Sequence, residues 1–351
     1  MNPTFSRFRK TSCGHPLNWL FIITFSGILF YLIWGDFHPG DSQSIHLSVY
    51  AFSTQEEVLA QGIFPAFEQA WEADTGMDVV IEGVFGPSGT LAEQIVLGAQ
   101  ADIAIFSNQR HVDWLKMSKC VDQDNNQVMI TSSPLVILTR PGNPFGISEF
   151  VDLAQPGIQL LHADPGSSGA GEWGLLAEYG NAYLEEGSQK LAESRLRNTW
   201  RNVKLLGSSA RVTLDLFELG AGDAIITYEQ EALLAQGRGV PLELILPKRT
   251  ILTRHYAVIV DDNITFIERP LAEAFLAFIQ SEEGQQILSQ YYFRSATGES
   301  DLLPVLDQPF TEEDLGGWSQ AYENIIENCW KTEIELGLEL ESGTSFLVRG
   351  E

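Results

Sequence analysis

Basic residues are scarce in this chain: 21 Lys and Arg stand against 47 Asp and Glu, a formal net charge of −26 over 351 residues. Binding to a nucleic-acid backbone depends on clustered cations, so nucleic acid is excluded as a partner. Cysteine is scarcer still. The three present, Cys13, Cys120 and Cys329, have spacings that fit neither a disulfide framework nor a zinc site; whether Cys120 and Cys329 pair stays open. Six histidines (15, 38, 46, 111, 162 and 255) are scattered without ligand spacing, so no metal and no cofactor is expected. No Gly-Lys-Ser/Thr occurs, which removes the phosphate-cradling P-loop. Gly86-Pro87-Ser88-Gly89-Thr90 and Gly166-Ser167-Ser168-Gly169-Ala170 both lack the final glycine of a G-x-S-x-G nucleophile elbow, and no histidine stands out as a base. Catalysis is therefore not expected.

Long apolar runs are also few. The single candidate spans Leu17 to Trp34, after Arg7, Arg9 and Lys10. Cations before such a run keep its start in the cytoplasm and send the downstream chain across the membrane. The run exceeds the about 7–15 residues of a signal h-region, and no A-x-A-like site comes after it. It falls just short of the about 20 residues of a typical spanning helix, within the usual range. The expectation is a retained N-terminal membrane helix within residues 1–43, with a cleaved signal peptide as the alternative. Cys13 lies before the run, on the wrong side for a lipid-modified cysteine exposed by cleavage. The remaining composition, 44% hydrophobic and 19% charged, is that of a globular protein with room for two cores.

What the chain does have is three Ser/Gly turns: Gly86-Pro87-Ser88-Gly89-Thr90, Gly166-Ser167-Ser168-Gly169-Ala170-Gly171 and Gly207-Ser208-Ser209-Ala210-Arg211. Each comes after an apolar, strand-like run and precedes a helix-like one. A helix start leaves backbone N–H groups unpaired and carries partial positive charge. Small residues let an anion approach those groups, and serine hydroxyls add donors. Three such turns, far apart in sequence, point to one oxyanion site assembled from separate segments. On so acidic a protein that site must rely on local oriented dipoles. Simple helix capping is the plainer account of each serine taken alone.

Strands are expected at Ile45–Tyr50, Val79–Phe85, Ala101–Phe106, Leu135–Thr139, Ile158–His162, Val203–Leu206, Asp223–Tyr228 and Ile251–Val260, alternating with helical patterns. Helical spacing of Leu59, Ile63, Phe67 and Trp71 is interrupted by Pro65, which delays or kinks that helix. Thr90 and Glu93 have capping-box spacing, with Ser88 as the alternative cap. Strands alternating with helices imply a largely parallel sheet with covered faces. The segment from Trp318 to Trp330 reads as a helix, and the acidic residues from Lys331 onward carry no clear pattern.

In their order and spacing these segments resemble the extracytoplasmic receptors of sulfate/thiosulfate ABC importers. The stretches concerned are Val49-Tyr50…Glu56, Gly86–Gln94, Asp164-Pro165…Ser168-Gly169…Trp173, Ser209-Ala210-Arg211, Gly222–Glu231, Tyr291-Tyr292…Arg294 and Gly316-Gly317-Trp318. The resemblance implies an α/β two-lobed periplasmic-binding-protein fold with crossing hinge strands. Lobe I is expected at 44–133 and 251–330, the latter including the C-terminal helix; lobe II is expected at 134–250, and 331–351 form an acidic tail. It further implies a monomeric receptor outside the cytoplasmic membrane that holds sulfate or a related oxyanion between the lobes and delivers it to an ABC permease. Carried across by position, Ser53 (or Thr54), Ser88, Gly89, Ser168, Gly169, Ala170, Ala210, Arg211 and Tyr228 are the expected ligand-binding residues. Arg211 comes directly after a backbone donor, and a carboxylate partner is the alternative to direct contact. Sulfate receptors carry a tryptophan where this chain has Tyr228. The stretches Phe85–Ala92 and Ala101-Asp102-Ile103 look at least as much like molybdate/tungstate receptors, which use a tyrosine there. Sulfate or thiosulfate is the first expectation and molybdate or tungstate the alternative; a membrane-tethered anion sensor without an importer is the alternative of another class.

Overall fold

The computed structural model describes residues 44–124, 127–342 and 348–350. The expected membrane helix lies outside the described residues; among those described, no helix is long and apolar enough to cross a membrane. Strand β1 (Ile45–Phe52) pairs in parallel with β2 (Val79–Gly86) and β3 (Ile103–Phe106). Between β1 and β2 the chain is helical, ending in α1 (Phe64–Thr75). Proline cannot donate the N–H of a regular turn, and a wide turn at Leu59–Ile63 directly before Pro65 absorbs the defect without a break. Helix α2 (Ser88–Val96) starts at the first Ser/Gly turn, and α3 (Gln109–Met117) comes after β3. Pro87 occupies the position before α2, so Thr90 and Glu93 lie inside the helix and form no capping box.

Strand β4 (Val128–Thr139) joins the two halves of the molecule. Its first part pairs antiparallel with β9 (Leu252–Ile259), and from Leu135 onward it pairs with β7 (Ala224–Tyr228) and β8 (Glu243–Ile245). On the far side β7 neighbours β5 (Leu160–Ala163), then β6 (Val203–Gly207) and an edge strand β10 (Val348–Gly350), all parallel. Nine of the ten strands among the described residues thus form one path, β10-β6-β5-β7-β4-β9-β3-β1-β2, with β8 beside β4. This is a two-lobed α/β architecture crossed by β4 and β9. Helices α4 (Gly169–Glu186), α5 (Gln189–Trp200), α6 (Ala210–Glu218) and α7 (Glu229–Gly237) cover the second half. Helices α8 (Arg269–Gln280) and α9 (Glu282–Gln290) return to the first.

The C-terminal helix departs from the sequence expectation in two ways. It runs as α10 (Gly317–Ala321), a wide-turn stretch Tyr322–Glu335 and α11 (Leu336–Ser342), so the acidic residues after Lys331 continue it. It also packs on the second half: Trp318 meets Trp173 of α4 edge-on at 4.5 Å, and Trp330 meets Trp200 of α5 at 5.1 Å. Such aromatic pairs contribute about 0.5–1.5 kcal/mol beyond their buried area. The tryptophan positions therefore override the chain's order. Cys120 and Cys329 are buried free thiols and do not pair.

Candidate functional site

Parallel strands of an open α/β sheet bring their carboxyl ends, and the helix starts beyond them, to one edge. Here that edge lies in the cleft between the halves. A small, tight cavity of about 10 Å³ is lined there by Phe52 at the end of β1, Ser53 and Thr54 after it, Pro87 and Ser88 after β2, and Ser107 after β3. From the other half come Ser168, Gly169 and Ala170 at the start of α4, Ala210 at the start of α6, and Tyr228 at the end of β7. Seven of the nine expected residues meet at this cavity: Ser53, Ser88, Ser168, Gly169, Ala170, Ala210 and Tyr228.

The other two have different partners. Gly89 donates its N–H across the cleft to Ser167 O at 3.0 Å, and Thr90 does the same at 3.3 Å. Arg211 is committed to carboxylates. It grips Glu57 with Nη1 and Nη2 at 2.7 and 2.6 Å, and Glu231 with Nε and Nη2 at 2.9 and 2.7 Å. Burial works against its charge, yet Glu57 and Glu231 outweigh burial and hold the guanidinium above its ordinary value. The residue fastens α6 to the helical stretch after β1 and does not line the cavity.

The cavity wall is neutral. Glu172, Glu229 and Glu231 lie close by in sequence, but each is held by cations elsewhere. Glu172 accepts from Arg110 at 2.6 Å and Asn108 at 2.7 Å, and Glu229 is gripped by Arg294 at 2.6 and 2.9 Å. The polar groups left are hydroxyls and helix-start amides. Ser168 both caps α4, accepting from Ala170 N at 3.2 Å, and faces the cavity, so capping and cavity lining coincide in one residue. Ser88 Oγ accepts from Ser107 N at 3.2 Å and lies 3.1 Å from His111 Nδ1. Thr54 Oγ1 accepts from Gln230 Nε2 at 3.3 Å.

Of the hydroxyls lining the cavity, two buried ones, Ser107 Oγ and Tyr228 Oη, lie close to one another and have no other protein partner at hydrogen-bond geometry among the described residues. Leaving a buried polar group unpaired costs about 1–3 kcal/mol, so two together in one cavity mark it as built for a polar guest. Burial holds the Tyr228 phenol well above its ordinary value, with neighbouring Ser107 opposing, so it is a neutral donor at physiological pH. The walls approach closely: a Cβ on Gly169 would stand 1.9 Å from Ser107 Oγ. Only glycine allows α4 to start this near β3.

Sequence reasoning missed Ser107 and His111. Ser107-Asn108 ends β3 and opens α3 with Asn108 as cap, which is the strand–serine–helix pattern without its glycine. Nothing local signals that His111 reaches back to Ser88.

Comparison with known proteins bears on the family and the fold. Residues 47–294 match the family model described as bacterial extracellular solute-binding protein. The sulfate-binding protein of Escherichia coli is 32% identical over 279 residues, covering 75% of this chain and 84% of that one. The thiosulfate-binding protein of Pseudomonas aeruginosa is 28% identical over 271 residues, covering 72% and 81%. Among solved structures, the sulfate-binding protein SubI from Mycobacterium tuberculosis H37Rv superposes with a TM-score of 0.74 at 26% identity, covering 80% of this chain and 99% of that one.

Proposed function

The chain belongs to the bacterial extracellular solute-binding proteins, and from that premise we propose that it captures sulfate or thiosulfate between its lobes and delivers it to the permease of an ABC importer. The sulfate- and thiosulfate-binding relatives bind oxyanions, and this protein is an oxyanion receptor of the same kind. The observation that carries the site assignment is the pair of buried hydroxyls without other protein partners, Ser107 Oγ and Tyr228 Oη, in a wall otherwise made of helix starts.

Capture strips the anion of water and replaces it with neutral donors. Hydrogen bonds to an ionised acceptor are roughly twice as strong as neutral ones, and the starts of α2, α4 and α6 add positive potential without a counter-ion. Selectivity arises from two features. The cavity is tight and closed in by both halves, which disfavours large anions. An ionised carboxylate only accepts hydrogen bonds, and none lines the wall to take the proton of a hydrogen phosphate. The crossings at β4 and β9 are read as the hinge about which the lobes close, with residues 44–133 and 134–250 on opposite sides.

The receptor acts outside the cytoplasmic membrane. Its tether through the apolar run Leu17–Trp34, and its monomeric state, are parts of the same proposal. Calorimetric titration of the purified full chain with sulfate, thiosulfate, molybdate, tungstate and phosphate tests it. Tight binding of sulfate or thiosulfate with phosphate excluded is the expected result. Preference for molybdate or tungstate would transfer the site to the larger anions, and silence towards all five would sink the receptor reading.

A further inference from the structure

The stretch Tyr291-Tyr292…Arg294 does not line the cavity, yet it reaches Tyr228 by two routes. Tyr292 adopts a φ of 64°, a left-handed conformation that is costly for a residue with a Cβ. The turn it makes after α9 carries Phe293 and Arg294 into the interior, where both are buried. The first route is aromatic. The Phe293 ring meets His255 edge-on at 6.1 Å, and His255 meets the Tyr228 ring edge-on at 5.5 Å. His255 is fixed in turn by Thr131 of β4 at 2.9 Å and by Thr253 of its own strand at 3.1 Å. The second route is ionic. Arg294 grips both oxygens of Glu229, Nε donating to Oε2 at 2.6 Å and Nη2 to Oε1 at 2.9 Å. Its Nη2 also donates to Pro304 O at 2.9 Å, and its Nη1 to Gly298 O at 3.3 Å. The backbone of Arg294 is bonded to Ser132 of β4 in both directions, at 3.1 Å each way. Glu229 comes directly after Tyr228 and is the first residue of α7.

A guanidinium fork that holds both oxygens of a carboxylate fixes direction as well as distance. Here the carboxylate belongs to the residue beside the cavity tyrosine, and the fork is anchored on the crossing strand β4. We propose that Arg294 is a positioning residue of the anion site: by holding Glu229 against β4 it sets the start of α7, and so the aim of the Tyr228 hydroxyl into the cavity. This rests on the oxyanion reading of the cavity. The edge-on ring contacts locate the Tyr228 ring, and the ion pair fixes the backbone that carries it. A buried ion pair is weak evidence of stability, since apolar groups of the same volume often serve as well. Direction is what this pair supplies and an apolar pair does not. Arg294 lines no part of the cavity, and its charge is matched by Glu229, so the wall stays neutral.

The experiment is calorimetric titration of the full chain with sodium sulfate, comparing wild type, Arg294→Lys, Tyr228→Phe and the double variant. Lysine keeps the cation but cannot hold both carboxylate oxygens in a fixed fork. Arg294→Lys is expected to weaken sulfate binding toward the loss caused by Tyr228→Phe, at most roughly 10- to 100-fold. In the Tyr228→Phe background the same change is expected to move affinity by less than about two-fold, because the hydroxyl it aims is already gone. An arginine that only supports the fold would weaken binding equally in both backgrounds. Equal losses therefore overturn the inference, as does wild-type affinity in Arg294→Lys. If that variant does not fold, Arg294→Met together with Glu229→Leu replaces the whole pair by apolar groups. This form is expected to keep a cooperative melting transition, to bind sulfate as weakly as Tyr228→Phe, and to lose nothing more when Tyr228→Phe is added. Wild-type affinity in it overturns the inference as well. If wild type itself binds no sulfate, the oxyanion reading fails and takes this inference with it.

Discussion

Tyr228 puts one oxygen into the cavity from a ring that is otherwise wedged against Phe52 at 6.1 Å and His255 at 5.5 Å. The ring belongs to the packing and, on the proposed reading, the oxygen to the ligand, so Tyr228→Phe separates the two roles. Loss of one hydrogen bond to a charged group costs about 1.5–3 kcal/mol, or roughly 10- to 100-fold in sulfate affinity at about 1.4 kcal/mol per decade. Thermal stability without ligand should hold or rise slightly, because a buried hydroxyl with no protein partner beyond Ser107 is removed. Calorimetry with a melting curve checks both; unchanged affinity would reduce Tyr228 to a packed aromatic. At this scale the sequence is readable where chemistry is local. Ser88, Ser168 and Ala210 come after strands and open helices, and small residues at strand ends announce both facts. Gly89 and Arg211 stand in the same turns, but their partners, Ser167 O and Glu57, come from the opposite half. No local pattern reveals such pairings.

Elements are legible by the same rule. Alternating apolar runs identify most of β1 to β9, since each strand's hydrophobicity reflects its own burial. The wide turn at Leu59–Ile63 is announced by Pro65, whereas the one at Tyr322–Glu335 and the edge strand β10 depend on accommodation to neighbours and leave no signature. Helix α4 carries another such hidden feature. Its Glu178 is buried and accepts from Trp200 Nε1 at 3.0 Å, with no cation paired to it among the described residues. Burial pushes this carboxyl up to about 8, the Trp200 bond opposing, against an ordinary value of 4.5. The folded state therefore binds more protons than the unfolded chain between those values, and its stability falls as pH rises through that window. Glu178→Gln removes the titration. Its melting temperature should match or slightly trail wild type near pH 5 and exceed it increasingly up to pH 8, by about 2–4 °C for each kcal/mol. Parallel melting curves with no widening of the gap would show that Glu178 titrates normally.

Across the whole molecule, closure is held by protein contacts as well as by any anion. Trp173 Nε1 donates to Ser107 O at 2.8 Å, Glu172 grips Asn108 and Arg110, and Arg211 clasps Glu57. These contacts bridge the two halves on either side of the cavity, and in the proposed hinge motion β4 and β9 are the strands that flex when they part. A receptor whose closed form is a fraction f of the population binds with an apparent Kd of the intrinsic value divided by f. Each bridge therefore sets affinity without touching ligand. Glu57 is the most separable of them, since it is partly exposed and Arg211 keeps Glu231 when it is lost. A partly exposed ion pair contributes up to about 1 kcal/mol, so Glu57→Gln should weaken sulfate binding by roughly three- to five-fold. Small-angle scattering should report a larger ligand-free radius of gyration for the variant than for wild type, and the same radius for both under saturating sulfate. A variant with wild-type affinity and an unchanged ligand-free radius would mean that the Arg211–Glu57 clasp forms only as a consequence of closure and contributes nothing to its free energy.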